Sequence, residues 1–277
     1  MTPGDYCQQK AARLGSSSYY SFLFLPPPRR RAITALYAFC REVKEVIDQC
    51  SDSGVARSTL AWWRQEIGNL YAGSPAHPVT RALQPAIASF GIGHEHLAEI
   101  IDGVEMDLNQ NRYLDFAALK QYCHRVAGVV GLLSASIFGY REAQTLEYAH
   151  TLGIALQLTR VIRNVGEDSR SGRIYLPVSE LQQFNVTAAD ILQARQTDGF
   201  GRMMAFQVER AEHYYEQAFA KLPQLDRKAQ RPGLIMAAIS RTLLHEIRND
   251  GCKVLTQRTS LTPMRKLWIA WRTRITT

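Results

Sequence analysis

Apolar residues recur at three- and four-residue intervals through almost the whole chain, and no run sustains the alternation of a β-strand. That period places apolar side chains on one face of successive α-helices, so each helix must find another helix to bury against. Helices are predicted over 4–14, 30–50, 54–72, 77–90, 94–110, 116–139, 142–168, 199–221, 231–250 and 263–274. The run Leu25-Pro26-Pro27-Pro28 stops one segment and starts the next, and breaks rich in Gly and Pro fall at 73–78, 91–93 and 172–177. The predicted fold class is all-α, a bundle forming one domain over 1–277 whose core helices surround something.

Composition narrows the setting. A chain of 277 residues can bury a sizeable core. Its five cysteines are odd in number and include no Cys-x-x-Cys pair, which argues against a disulfide framework or zinc site and for a reducing, cytoplasmic compartment. His94 and His96 in the Gly-flanked GHEH turn read as a solvated loop rather than a metal site. The longest uncharged run, 126–140, falls short of the roughly 20 residues a bilayer-spanning helix needs and reads as a buried core helix.

The net charge of +8 is unevenly placed. After Asp250 there is no acid, while Lys253, Arg258, Arg265, Lys266, Arg272 and Arg274 make a basic tail from about 251. Within it, Leu267, Trp268, Ile269 and Trp271 stand among basic residues. One reading is a last helix packed on the bundle with its charges in water; the other is peripheral docking at an anionic membrane face. No zinc-finger or aromatic RNA-binding signature is present, so no nucleic-acid partner is expected.

Two polar faces interrupt the apolar pattern. In the segment Leu152–Pro177, the residues Gln157, Arg160, Asn164 and Asp168 follow at spacings of three, four and four and share one helical face. In the helix over 30–50, Arg41, Lys44 and Asp48 share a face, with Glu45 beside them. Such faces are either solvated stripes with internal salt bridges or the walls of a polar cavity between facing helices.

The wording of these segments resembles a known family. YAFCREVKEVID, from Tyr37 to Asp48, is similar to the first aspartate-rich motif of the squalene/phytoene synthases, usually YxxCRxxDDxxD. The 152–177 segment resembles the second, usually QLxNxxRDxxEDxxxGRxYLP. YCHRVAGVVG, from Tyr122 to Gly131, and SSSYYSFLFLPPPRRR resemble two further stretches. DGVEMDLNQNRYLDF and the GRIYLP exit look most like bacterial presqualene diphosphate synthases.

The resemblance implies a class I prenyl synthase bundle with a deep apolar cavity, joining two prenyl diphosphates, farnesyl or geranylgeranyl, through their C1 ends. Farnesyl diphosphate is the partner it implies first. Magnesium held by acids on two facing helices would bind the diphosphate, and dense negative charge on a leaving group asks for such positive charge. By motif position, Arg41 would bind diphosphate, Tyr122 and Gln157 would line the reaction centre, and Asp48 and Asp168 are retained catalytic acids. Arg163 and Arg173 are further diphosphate contacts, and Phe22 with Leu25 would line the entry. Gly128 and Gly131 would serve either close helix packing or room for a prenyl chain. Whether a reduction by NADPH follows depends on the cavity walls.

The departures from the pattern fall on the chemistry. Lys44 and Glu45 stand where paired aspartates are usual, Arg160 where an asparagine ligand is, and Asn164 where an aspartate is. Two unit charges 4 Å apart interact by about 4 kcal/mol at an effective dielectric of 20, and a divalent ion beside Lys44 would feel roughly twice that. Asp48, Glu45 and Asp168 are left as the acids for a magnesium ion. Lys44, Arg160 and Asn164 are then expected to face the substrate. Two functions follow: a prenyltransferase in which side-chain cations replace part of the metal charge, or a family member that binds a prenyl diphosphate or lipid without turnover.

Overall fold

The computed structural model describes residues 1–11, 16–50 and 52–277. Its helices are α1 (Pro3–Ala11), α2 (Ser17–Phe22), α3 (Pro27–Gln49), α4 (Ser53–Tyr71), α5 (Pro78–Phe90), α6 (His94–Asn109) and α7 (Phe116–Cys123). They continue with α8 (Val129–Phe138), α9 (Gln144–Arg170), α10 (Val178–Gln183), α11 (Ala188–Leu192), α12 (Asp198–Ala220), α13 (Arg231–Asn249) and α14 (Pro263–Thr276). The all-α expectation holds, and among the described residues no helix is long and apolar enough to cross a membrane. The end of the first predicted helix, 12–14, lies outside the described residues. His94 and His96 sit in the first turn of α6 rather than in a loop, with the His94 ring edge-on to Tyr71.

The helix expected to run unbroken over 116–139 is interrupted by a π-helical turn, His124–Gly128. A π turn is wider than an α turn and has to be given room. Two glycines on neighbouring helices supply it: a Cβ on Gly103 of α6 would stand 2.6 Å from the Arg125 Cβ, and one on Gly153 of α9 would stand 2.2 Å from the Ala127 carbonyl. At Gly131 a Cβ would lie 2.2 Å from the Ala149 carbonyl, so close packing of α8 on α9 accounts for that glycine.

Apolar burial divides into two clusters, one built chiefly on α9, α12 and α13, the other on α3 to α6 and α8. Helix α9 runs through the first and presents its polar face towards the second. Its start is pinned by Asp226, 1% exposed, which accepts the amides of Arg141 and Glu142 at 2.8 and 3.0 Å and the Thr145 hydroxyl at 2.6 Å. Its far half presses on the 254–255 backbone, where Gly166 donates its amide to the Val254 carbonyl. Past α9 the chain runs extended beside residues 111–114, with the Ile174 and Val178 amides donated to Asn111 and Tyr113. This pairing delivers Tyr175 to the site.

In an open helix, glycine to alanine gains about 1 kcal/mol. Gly131→Ala is expected instead to lose about 2 kcal/mol, because α8 and α9 must part; a thermal melt of the variant measures it.

Candidate active site

Asp107 of α6 is the centre of the polar site. Its side chain is 1% exposed and accepts from three groups: Lys44 Nζ at 2.7 Å, the Tyr122 hydroxyl at 3.1 Å and the Tyr175 hydroxyl at 2.9 Å. The Tyr122 and Tyr175 rings stack 5.2 Å apart, and Tyr113 packs against both. Burial, and then the Asp107 charge, push both phenols above their ordinary pKa, so both are held as hydrogen-bond donors.

The other acids are engaged by cations. Glu45 points away from the cavity to Lys10 of α1 at 2.5 Å and accepts from Arg41 Nε at 3.0 Å. Asp48 faces Lys44 at 3.4 Å and Arg173 at 3.6 Å. Asp168, part-buried, is pushed up to about 6 by burial, against which the Arg160 and Lys44 charges pull it down. Magnesium needs several hard oxygen donors converging on one point. Here Lys44 lies between Asp48 and Asp107, Glu45 serves α1, and among the described residues no three acidic, His or Cys side chains converge as a metal would require. The donor set Asp48, Glu45 and Asp168 therefore does not fit a magnesium cluster.

Beside this network lies an apolar cavity of about 260 Å³ at the seam between the two core clusters. Tyr37, Val130, Phe138, Leu152 and Leu156 line it, and Gln157 and Arg160 form its polar end. The glycines of its wall are Gly131, Gly153 and Gly233; Gly128 instead faces the His150 ring, within 2.9 Å of where its Cβ would be. Phe22 packs edge-on to Tyr37 of this wall with centroids 4.9 Å apart.

A second pocket, of about 270 Å³, shares Tyr37, Leu156, Arg160 and Met236 with the first and adds Ser17, Ser18, Arg163 and Lys266. It is a cationic chamber. Burial, then Arg258 and Arg160, push Arg163 down to about 10, and burial with Arg163 and Arg258 lowers Lys266. Glu167 is committed to Arg258 at 3.3 Å. Asn164, buried, accepts from Arg163 Nε at 2.8 Å and so holds that guanidinium in place.

The structure thus brings Tyr122, Lys44, Asp48 and Arg173 into one network, and Gln157, Arg160 and Arg163 to the cavities, with Asn164 bonded to Arg163. Arg41 and Glu45 stand apart, paired with each other. Asp107 and Tyr175 are site residues that the sequence reading does not single out, and Lys266 enters it only as part of the basic tail. Asp107 lay in the quoted DGVEMDLN stretch, but its partners come from 15, 63 and 68 residues away, which no local spacing reveals.

The helical bundle, its seam cavity and its facing polar helices define an all-α isoprenoid synthase fold. A family model described as squalene/phytoene synthase matches residues 11–265. A phytoene synthase of Arthrospira platensis is 34% identical over 95% of this chain and 89% of its own. A 15-cis-phytoene synthase of Synechococcus elongatus is 35% identical with the same coverage. Among solved structures, a dehydrosqualene synthase superposes with a TM-score of 0.89 at 25% identity, covering 99% of this chain and 96% of the other. A squalene synthase, HpnC of Alicyclobacillus acidocaldarius, gives 0.78 at 28% identity over 90% and 94%. The chain belongs to the squalene/phytoene synthase family of head-to-head prenyltransferases.

Two outcomes are expected. Removing one member of a buried ion pair costs about 3–5 kcal/mol, so Lys44→Met should destabilise strongly and Lys44→Met/Asp107→Asn should recover part of the loss. A double-mutant cycle measures this, and a coupling near zero would contradict the pairing. Asp168 binds its proton up to about 6 in the folded chain against an ordinary 3.8. The folded state holds the extra proton between those values, so this group lowers stability as pH rises from about 4 to 6. Asp168→Asn should flatten the dependence of Tm on pH in that window.

Proposed function

We propose that this chain binds a prenyl diphosphate, farnesyl diphosphate first, with side-chain cations in the role that the family generally gives to a divalent metal. The observation that carries this reading is the cationic chamber at the polar end of an apolar cavity. Arg160, Arg163 and Lys266 converge there, and burial and mutual repulsion weaken the hold of Arg163 and Lys266 on their protons. A diphosphate relieves that repulsion. Guanidinium groups bind its oxygens in pairs, and Ser17 and Ser18 can donate to those that remain. The prenyl chain then extends past Gln157 between Leu152, Leu156 and Val130.

On this reading the chain is a prenyltransferase of the family's type. The C1–oxygen bond of one substrate breaks, the diphosphate leaves towards Arg160 and Arg163, the allylic cation is attacked by the double bond of the second, and the cation so formed loses a proton to the released diphosphate. Tyr37 and Phe138 rings flank the cavity, where π faces and exclusion of water favour a cation. A second reading, binding without turnover, is favoured by the Lys44–Asp107 pair, which ties up the most buried acid of the site.

The test is calorimetric binding of a non-hydrolysable farnesyl diphosphate analogue in EDTA, then incubation with farnesyl or geranylgeranyl diphosphate and product extraction. Binding without metal is expected, weakened at least about tenfold in Arg160→Glu. A C30 or C40 product would decide for the transferase; strict dependence of binding on magnesium would overturn the cation-based site.

A further inference from the structure

Helix α14 is amphipathic in the unexpected sense. At 100° per residue, Met264, Leu267, Trp268, Trp271 and Ile275 fall within an arc of roughly 100°, and this arc faces solvent, with exposures of 75%, 38%, 54%, 55% and 63%. The side that packs on the body is narrow and carries Ile269 and Ala270, both buried. Arg265 and Arg272 border the apolar stripe on one edge and Arg274 on the other. Arg272 lies over the Trp268 ring at 5.3 Å and Arg274 over Phe24 at 4.4 Å, which fans the guanidinium groups along the borders. A last helix merely packed on a bundle would turn its tryptophans inwards.

We infer that α14 is a membrane-docking helix, seating its tryptophan stripe at the interface of an anionic lipid bilayer. Tryptophan and leucine on one face with arginine at its margins is the composition that lies flat at a lipid interface, the ring at headgroup depth and the cation on lipid phosphate. Charge complementarity selects this occupant. Arg265 is paired with Glu246 at 2.6 Å, but Arg272 and Arg274 border the stripe with no acid between 251 and 277, so a two-fold pairing of this face with a second copy would set arginines against arginines.

The placement also suits the cavity. On the opposite side of the same helix, Lys266 lines the cationic chamber together with Ser17 and Ser18. Docking would therefore hold that chamber close to the bilayer, where a prenyl lipid has its apolar reservoir. The docking inference stands on the exposed stripe and not on the ligand reading.

The test is flotation of the full chain with phosphatidylglycerol/phosphatidylcholine vesicles and with phosphatidylcholine alone. The expected result is binding to the anionic vesicles, weakened by salt. It should fall about tenfold or more in Trp268→Ser/Trp271→Ser, with the thermal melt and the diphosphate-analogue affinity unchanged because both rings face outward. Absence of wild-type flotation, equal flotation of the variant, or indifference to lipid charge would overturn it. So would a vesicle-free dimer that the variant dissolves, since a second copy would then own the stripe. Loss of analogue binding with flotation intact would strike the ligand reading alone.

Discussion

Lys44 reaches from α3 to a carboxylate on α6 that water scarcely touches, and the character of the site depends on that contact. A carboxylate at 1% side-chain exposure is costly to bury alone, and Lys44 at 2.7 Å supplies Asp107 with a partner. The two tyrosine hydroxyls take up its remaining acceptor capacity and so fix the stacked rings of Tyr122 and Tyr175. Those rings order the extended chain after α9. A lysine in this place therefore brings two acids, Asp48 and Asp107, to one cation.

The cations of the cavities lie one to two turns earlier along α9 and on α14. Arg160 joins the apolar cavity to the cationic chamber, Arg163 is held by Asn164, and Lys266 comes across from α14. The substitutions at 44, 160 and 164 thus act together. One neutralises the acids, one places a guanidinium at the boundary, and one turns a carboxylate that would quench Arg163 into an amide that orients it. The same α14 that closes this chamber exposes its tryptophans on the other side.

Much of the bundle was legible because helix–helix burial writes its period directly into the chain. The helices over 53–71, 78–90, 94–109, 198–220 and 231–249 match the spacing of their apolar residues to within about two positions. The π turn at 124–128 was not legible. It depends on glycines at 103 and 153, on helices that only the fold brings alongside. The polar face Gln157–Arg160–Asn164–Asp168 was visible from spacing, and so was the charged face of α3. The Lys44–Asp48 pair follows from that i,i+4 spacing, but that Glu45 would turn to Lys10 and Asp48 also to Arg173 was not visible, because those partners are distant in sequence.

By itself, the sequence determined the all-α class, two polar helix faces and, set beside the family pattern it resembles, a more positive charge at 44, 160 and 164. These follow from periodicity and from residue type, which are local properties. Only the tertiary structure decided which charges meet. It chose Asp107 as the centre, placed Gly128 against His150 instead of on the cavity wall, and turned the tryptophans of α14 towards solvent. Coulomb energy and burial depend on distance in space and on access to water, and neither is written in the order of residues along the chain.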